Sequence, residues 1–107
     1  MTDGSSTVYR IVGTPRQVAE RVLGMMRSYV DNHTVGAGCD SYFRQYDWGY
    51  EVYYERSWFF GSDWVRARIR PTMTKEGNVT VVQPTCDVAI SSGGSGRSFA
   101  ANFANYL

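Results

Sequence analysis

Hydrophobic and polar residues follow two different rhythms along this chain. Between residues 14 and 31, apolar side chains recur every three or four positions, which is typical of a helix with one buried face. The members of this series are Val18, Val22, Met25, Met26, Tyr29 and Val30. From Ser41 to Ser91 the pattern changes to period two, which indicates strands with one buried face each.

The helix has a clear start in the sequence. Thr14 can cap the first turn, Pro15 suits the first helical position, and Gln17 can complete a capping box with Thr14. Residues 7–12 precede it and alternate like a strand, and residues 1–6 are small and polar, as in a flexible tail. We expect the helix to end near residue 31, where a segment rich in turn formers begins.

Turn signals divide the period-two region into four strands of an antiparallel meander. The signals are "DWG", "GSD" and "KEGN". A two-residue turn at Gly61-Ser62 would place Trp58 opposite Val65 and Glu55 opposite Arg68, and a four-residue loop at 75–78 would place Val65 opposite Val88. Both registers put apolar residues on one common face, so we expect both.

The register at "DWG" has two solutions. A three-residue loop turns Tyr42, Arg44 and Tyr46 towards the helix, whereas a two-residue loop turns Phe43 and Gln45 that way. We favour the three-residue loop, with Gly49 in a bulge.

The end of the chain predicts a flexible loop and a short helix. Residues 91–98 are mostly Gly and Ser, which favours a linker over a phosphate-binding loop, and Phe99, Phe103 and Leu107 have helical spacing. The elements together predict one α+β domain over residues 7–107, in which a curved antiparallel sheet grips a long helix. This architecture resembles the cystatin-like and helix-grip folds; the inhibitor motifs of cystatins are not found, so the resemblance implies architecture alone.

An aromatic segment, "YDWGYEVYYERSWFF", serves both faces of the predicted sheet. Tyr50, Tyr54, Trp58 and Phe60 join Val52 on the helix side, while Tyr53 and Phe59 point away together with Trp64. The segment holds eight aromatic side chains in fifteen positions, and exposed aromatic residues in a group often mark an interaction site.

The charge composition limits the kinds of partner that we expect this protein to bind. Eleven Lys and Arg against ten Asp and Glu give a net charge of +1, which weakens a general affinity for nucleic acid. All but one of the basic residues are arginine, which favours planar, stacked or bidentate contacts.

Catalytic and metal chemistry find little support in the sequence. His33 is the only histidine, and its spacing from Cys39, Asp40 and Cys86 matches neither a protease nor a zinc signature. We expect free thiols, no cofactor, no bound metal and no enzymatic activity. The absence of a long apolar run or a signal-peptide pattern predicts a soluble, cytoplasmic protein.

Our leading hypothesis is a small protein-binding module that occludes its partner, as inhibitors, immunity proteins and phage or mobile-element counter-defence proteins do. Aromatic residues and arginine dominate protein interfaces, and the outer sheet face collects both types. The predicted partner-binding residues are Tyr53, Phe59, Trp64, Arg66, Arg68 and Arg70.

Two other functions stay open. A pocket between helix and sheet could hold a small anionic or aromatic molecule, with Arg44, Tyr54, Arg56 and Trp58 as its residues. An open sheet with aromatics and arginines also suits single-stranded nucleic acid, although Glu51, Glu55 and Asp87 on the same face would repel phosphate. A homodimer is compatible with each of these functions.

Overall fold

The protein is an α+β domain in which one helix packs against a five-stranded antiparallel sheet. The computed structural model describes residues 6–33, 38–59, 61–73 and 83–93. The elements are β1 (Ser6–Val12), α1 (Pro15–His33), β2 (Gly38–Tyr46), β3 (Gly49–Trp58), β4 (Gly61–Pro71) and β5 (Thr85–Gly93). The strand order is β1-β5-β4-β3-β2, so that β1 and β2 are the edge strands within the described ranges and the sheet is not closed. The predicted fold class is therefore confirmed.

The predicted start of α1 is confirmed in detail. The Thr14 hydroxyl accepts a hydrogen bond from the Gln17 backbone N–H at 3.3 Å, and the Gln17 side chain accepts one from the Thr14 N–H at 3.1 Å. This is the capping box that the sequence predicts. The helix continues to His33, two residues beyond the expected end.

One face of the sheet, the inner face, packs against α1. Its core residues include Val52 and Tyr54 from β3, Val65, Ala67 and Ile69 from β4, and Cys86, Val88 and Ile90 from β5. The helix covers them with Val18, Val22, Met26 and Val30, all at most 1% exposed. The assignment of Val52 and Tyr54 to the helix side is thus confirmed, whereas the side chains of Trp58 and Phe60 lie outside the described residues.

The predicted register of β3 and β4 is wrong by four positions. Tyr54 lies opposite Val65, Glu55 opposite Trp64, and Trp58 opposite Gly61. The chain therefore turns between Trp58 and Gly61, and the residues expected in the turn, Gly61 and Ser62, begin β4. Because the error is an even number of residues, the described side chains within β3 and β4 keep their predicted faces.

The register of β4 and β5 differs from the prediction in the same way. Val65 lies opposite Ser92 rather than Val88, and Arg70 lies opposite Asp87. Again the shift of four positions preserves the inner and outer faces. The predicted 75–78 loop and the predicted terminal helix at 99–107 lie outside the described residues.

The favoured register at "DWG" is also wrong, and here the error reverses a face. Tyr46 pairs with Gly49 around a two-residue turn, so Phe43 lies opposite Val52 on the inner face. Tyr42, Arg44 and Tyr46 consequently lie on the outer face. Gly49 has φ of +146°, a conformation that side chains rarely adopt, and its Cα faces the Ile69 carbonyl closely enough to exclude a Cβ.

A candidate binding surface on the outer sheet face

The face of the sheet opposite α1, the outer face, carries a stacked row of aromatic rings. Tyr42 of β2, Tyr53 of β3 and Trp64 of β4 come from three neighbouring strands. The Tyr42 and Tyr53 rings are 5.1 Å apart between centres with planes 8° apart, and Tyr53 and Trp64 are 6.3 Å apart at 20°. This row arises because residues of one parity share a face of each strand.

Arginine side chains fill the spaces around these rings. The guanidinium of Arg66 lies 5.5 Å from the Tyr53 ring centre and 5.4 Å from that of Trp64, and Arg44 lies 4.1 Å over Tyr42. These distances are those of cation–π contacts. We call Tyr42, Tyr53, Trp64, Arg44 and Arg66 the outer-face array.

A second aromatic–arginine contact lies beside the turn that joins β2 to β3. Trp48 stacks on Tyr46 with ring centres 5.0 Å apart, and the Arg70 guanidinium lies 4.6 Å from the Trp48 ring centre. Arginine and aromatic rings therefore alternate over much of the outer face, from this turn to Trp64.

Two carboxylates of the outer face, Glu51 and Asp87, are bound by the protein itself. Glu51 accepts hydrogen bonds from Arg68 Nε at 2.8 Å and from the Tyr42 hydroxyl, and Asp87 accepts bonds from Arg10 at 3.1 Å and Thr72 at 3.0 Å. Burial opposes the ionisation of Glu51, but the bonds from Tyr42 and Arg68 outweigh it and lower its pKa. The bonds from Arg10 and Thr72 likewise lower the pKa of Asp87.

The tyrosines of the array are held neutral. Burial, followed by the negative charge of Glu55, raises the pKa of Tyr53 to about 12. Burial and the hydrogen bond to Glu51 raise the pKa of Tyr42. Near neutral pH both hydroxyl groups are therefore protonated, and the Tyr42 hydroxyl uses its proton in the bond to Glu51.

A small open depression lies next to the array. It has a volume of about 100 Å³ and is lined by Arg66, Arg68, Ala89 and Ser91. Two guanidinium groups and a hydroxyl at its rim suit a carboxylate better than an apolar group. The depression is large enough for one small acidic side chain and too small for a drug-sized ligand.

Five of the six predicted partner-binding residues lie on this face. They are Tyr53, Trp64, Arg66, Arg68 and Arg70. Phe59 instead follows the last residue of β3 at the turn, where it is 92% exposed. Tyr42 was not among the predicted residues, because the register favoured at "DWG" places it on the inner face, and the pairing of Glu51 with Arg68 was not predicted either.

The residues of the predicted pocket do not come together. Tyr54 and Arg56 lie on the inner face near the end of α1, but Arg44 lies on the outer face, contrary to prediction, and the Trp58 side chain is outside the described residues. Tyr54 donates a hydrogen bond to Asp31 at 2.7 Å, and Arg56 forms an ion pair with the same carboxylate at 3.0 Å. Burial and this bond raise the pKa of Tyr54. Asp31, which sequence patterns did not single out, is thus the partner that the inward-facing arginine requires.

Cysteine, metal and membrane features add little. Cys39 is exposed and Cys86 is buried, and both are free thiols. Cys39 and Asp40 are neighbours in β2 and therefore lie on opposite faces. Within the described ranges, no three potential ligands among His, Cys, Asp and Glu meet as a metal site, and no helix there is long and apolar enough to cross a membrane.

The fold and this surface define a small α+β domain with an aromatic and basic sheet face. Comparison with known proteins gives no closer identification, since no family model, curated protein or solved structure matches the chain.

Proposed function

We propose that this protein is a binding module that engages an acidic region of a protein partner through its outer sheet face and acts by occlusion. The observation that carries the proposal is the outer-face array, in which three stacked rings and two arginines from three strands form one surface. Tyr, Trp and Arg are the residues that contribute most binding energy at protein interfaces.

The rigidity of the array supports this function. Each ring of the array packs against another ring or a guanidinium group, and Arg68 is held by Glu51 at 2.8 Å. Side chains that are already ordered lose little conformational entropy on binding, so more of the contact energy appears as affinity. The depression lined by Arg66 and Arg68 is a suitable binding site for a carboxylate of the partner.

The geometry favours protein over single-stranded nucleic acid. Bases bind to aromatic platforms through open ring faces. Here Tyr42 and Tyr53 turn faces towards each other with planes 8° apart, and Arg44 and Arg66 lie over the same rings. The rings therefore offer mainly their edges, which suit contacts with a polypeptide.

The small-molecule alternative has weaker support. Its residues Tyr54 and Arg56 both bind Asp31, and the nearby helix–sheet interface is filled by buried side chains such as Val30 and Tyr29. A ligand would have to displace these contacts.

We further propose that the protein acts in the cytoplasm. An exposed free thiol such as Cys39 persists most easily in a reducing compartment.

Affinity capture with matched variants tests the proposal. Wild type, Trp64→Ala, Arg66→Ala and Arg16→Ala are immobilised and exposed to a nuclease-treated lysate. Arg16 lies on the exposed side of α1, with its side chain 70% accessible, and serves as the control. We expect a protein that wild type and Arg16→Ala retain and the two outer-face variants lose.

The affinity of the purified partner is then measured by titration calorimetry. Trp64→Ala should weaken binding by about 2 kcal/mol, roughly thirtyfold, without a comparable loss of thermal stability. A partner that binds Trp64→Ala as tightly as wild type would refute the proposed face. Binding of a small molecule that Tyr54→Phe weakens and Trp64→Ala does not would favour the inner-face alternative, and binding of an oligonucleotide that Trp64→Ala weakens would favour the nucleic-acid alternative.

A further inference from the structure

Among the described residues, strand β2 forms one free edge of the sheet. It is the last strand in the order β1-β5-β4-β3-β2, and seven of its nine residues are exposed. The helix packs mainly across β3 and β4, so it does not shield this edge. A strand edge of this length can pair with another strand through its backbone.

The hydrogen-bonding pattern identifies the groups that this edge presents. Thr72 directly follows β4 and continues its register with β5, and the Thr72 N–H donates to the Thr85 carbonyl at 2.9 Å. The backbone groups of even-numbered residues in β4 therefore point towards β5. Along an antiparallel strand, the backbone groups of successive residues point alternately to one neighbouring strand and to the other. Applying this alternation to the registers of β4 with β3 and of β3 with β2 shows that even-numbered residues of β2 bond to β3. The backbone N–H and C=O groups of the odd-numbered residues therefore point outward from the edge; these residues are Cys39, Ser41, Phe43 and Gln45.

The side chains of β2 are complementary to those of a second β2. If two copies pair antiparallel with Tyr42 opposite Tyr42, Asp40 of each copy lies opposite Arg44 of the other. Two symmetric ion pairs result on the outer face. A register displaced by two residues loses both ion pairs. A register displaced by one residue places inner-face side chains of one copy opposite outer-face side chains of the other.

We propose that two copies of this chain pair through β2 in this register. The inner face adds a second contact, because Phe43 is 37% exposed and would lie diagonal to Phe43 of the second copy, within reach of an aromatic ring. The other edge strand, β1, has Arg10 as its only charged residue and offers no such self-complementarity.

Pairing joins two five-stranded sheets into one of ten strands. The two outer-face arrays then meet at the two-fold axis, where the Tyr42 side chains face each other. The dimer carries a continuous binding surface of twice the area. This inference does not depend on the identity of the proposed partner.

Charge exchange tests the register. Sedimentation equilibrium of wild type, from about 1 μM to about 1 mM, should show a monomer–dimer equilibrium. Asp40→Arg and Arg44→Asp should each raise the dissociation constant about tenfold or more, because like charges then face each other twice, and the double variant should restore wild-type association. Trp64→Ala changes a residue of β4, two strands away from this edge, and should leave the dissociation constant of the dimer unchanged.

A wild-type protein that stays monomeric over this range would overturn the proposal, and failure of the double variant to restore association would overturn the register. A backbone test is independent of charge. Ser41→Pro removes an outward N–H without touching the bonds to β3, so it should abolish the dimer while circular dichroism and the melting temperature show an intact fold.

Cross-linking provides a direct measure of the axis. Residues of a pair without backbone hydrogen bonds have Cα atoms about 4.5 Å apart, within the range of a disulfide. In a Cys39→Ser background, Tyr42→Cys should therefore form a covalent dimer on mild oxidation, and Arg44→Cys should not. Equal cross-linking of the two variants would exclude a two-fold axis at Tyr42.

Discussion

At the scale of single residues, one close contact positions the outer-face array. Trp64 lies directly opposite Gly93, and its indole occupies the space that a side chain at position 93 would need. A Cβ built on Gly93 would come within 2.3 Å of the indole Nε1. The missing side chain on β5 thus allows the ring to lie close to the backbone and to stack against Tyr53.

We expect Gly93→Ala to displace the Trp64 indole. The unfolding free energy should fall by about 1 to 3 kcal/mol, as in other overpacked sites, and partner binding should weaken together with it. The indole N–H resonance of Trp64, assigned with Trp64→Phe, should shift in NMR spectra.

Gly24→Ala is the matched control. Apart from its chain neighbours and the adjacent backbone of the helix, no atom lies within 4 Å of the Cβ that it would add, and the position is inside α1. This substitution should stabilise the fold by about 0.5 to 1 kcal/mol and leave the Trp64 resonance in place. An unmoved resonance in Gly93→Ala would show that the ring does not depend on this contact.

At the scale of elements, α1 holds the sheet through one narrow seam. Val22 and Met26 are 1% and 0% exposed, whereas Arg16 pairs with Glu20 on the solvent side at 3.0 Å. The helix therefore contributes to stability through packing more than through its surface charges.

We expect Val22→Ala or Met26→Ala to destabilise the protein by about 2 to 4 kcal/mol, because each leaves a cavity at the sheet. Arg16→Ala should be close to neutral, because an exposed ion pair one helical turn apart contributes little to stability. Chemical denaturation measures both. Similar losses for the seam and the solvent side would contradict this placement of the helix.

At the scale of the whole molecule, the outer face couples stability to pH at both ends. The folded state lowers the pKa values of Glu51 and Asp87 below their usual 4.5 and 3.8 and raises that of Tyr53 from 10.0 to about 12. The carboxylates contribute stability that is present above their unfolded values and is lost as the pH falls through their folded ones. The Tyr53 contribution is complete below pH 10 and is lost between about pH 10 and pH 12.

The unfolding free energy should therefore be highest between the two windows. Urea titrations at a series of pH values should show a decline below about pH 4.5 that Glu51→Gln reduces, and a decline above pH 10 that Tyr53→Phe reduces. Tyr53→Phe retains the ring and its stacking, so it isolates the hydroxyl. An alkaline decline that is unchanged in Tyr53→Phe would assign it to other groups.

Local patterns by themselves determined the element types and most of the faces. The capping box of Thr14 and Gln17 is a contact between residues three positions apart, so it can be predicted from the local sequence. The buried face of α1 can be predicted in the same way, from the three- and four-residue spacing of Val18, Val22 and Met26. Alternation along β3 and β4 likewise placed Val52 and Tyr54 inside and Tyr53 and Trp64 outside, because side-chain direction in a strand has period two.

Only the tertiary structure decided the pairing partners. A pattern of period two is unchanged by a shift of four residues, so it could not distinguish Glu55 opposite Arg68 from the observed Glu51 opposite Arg68. At "DWG" both faces of β2 carry an aromatic residue, Tyr42 or Phe43, and so either loop length satisfied the pattern. The pairing of β1 with β5 and the joint binding of Asp31 by Tyr54 and Arg56 connect residues distant in sequence, and packing of the whole sheet against α1 determines them.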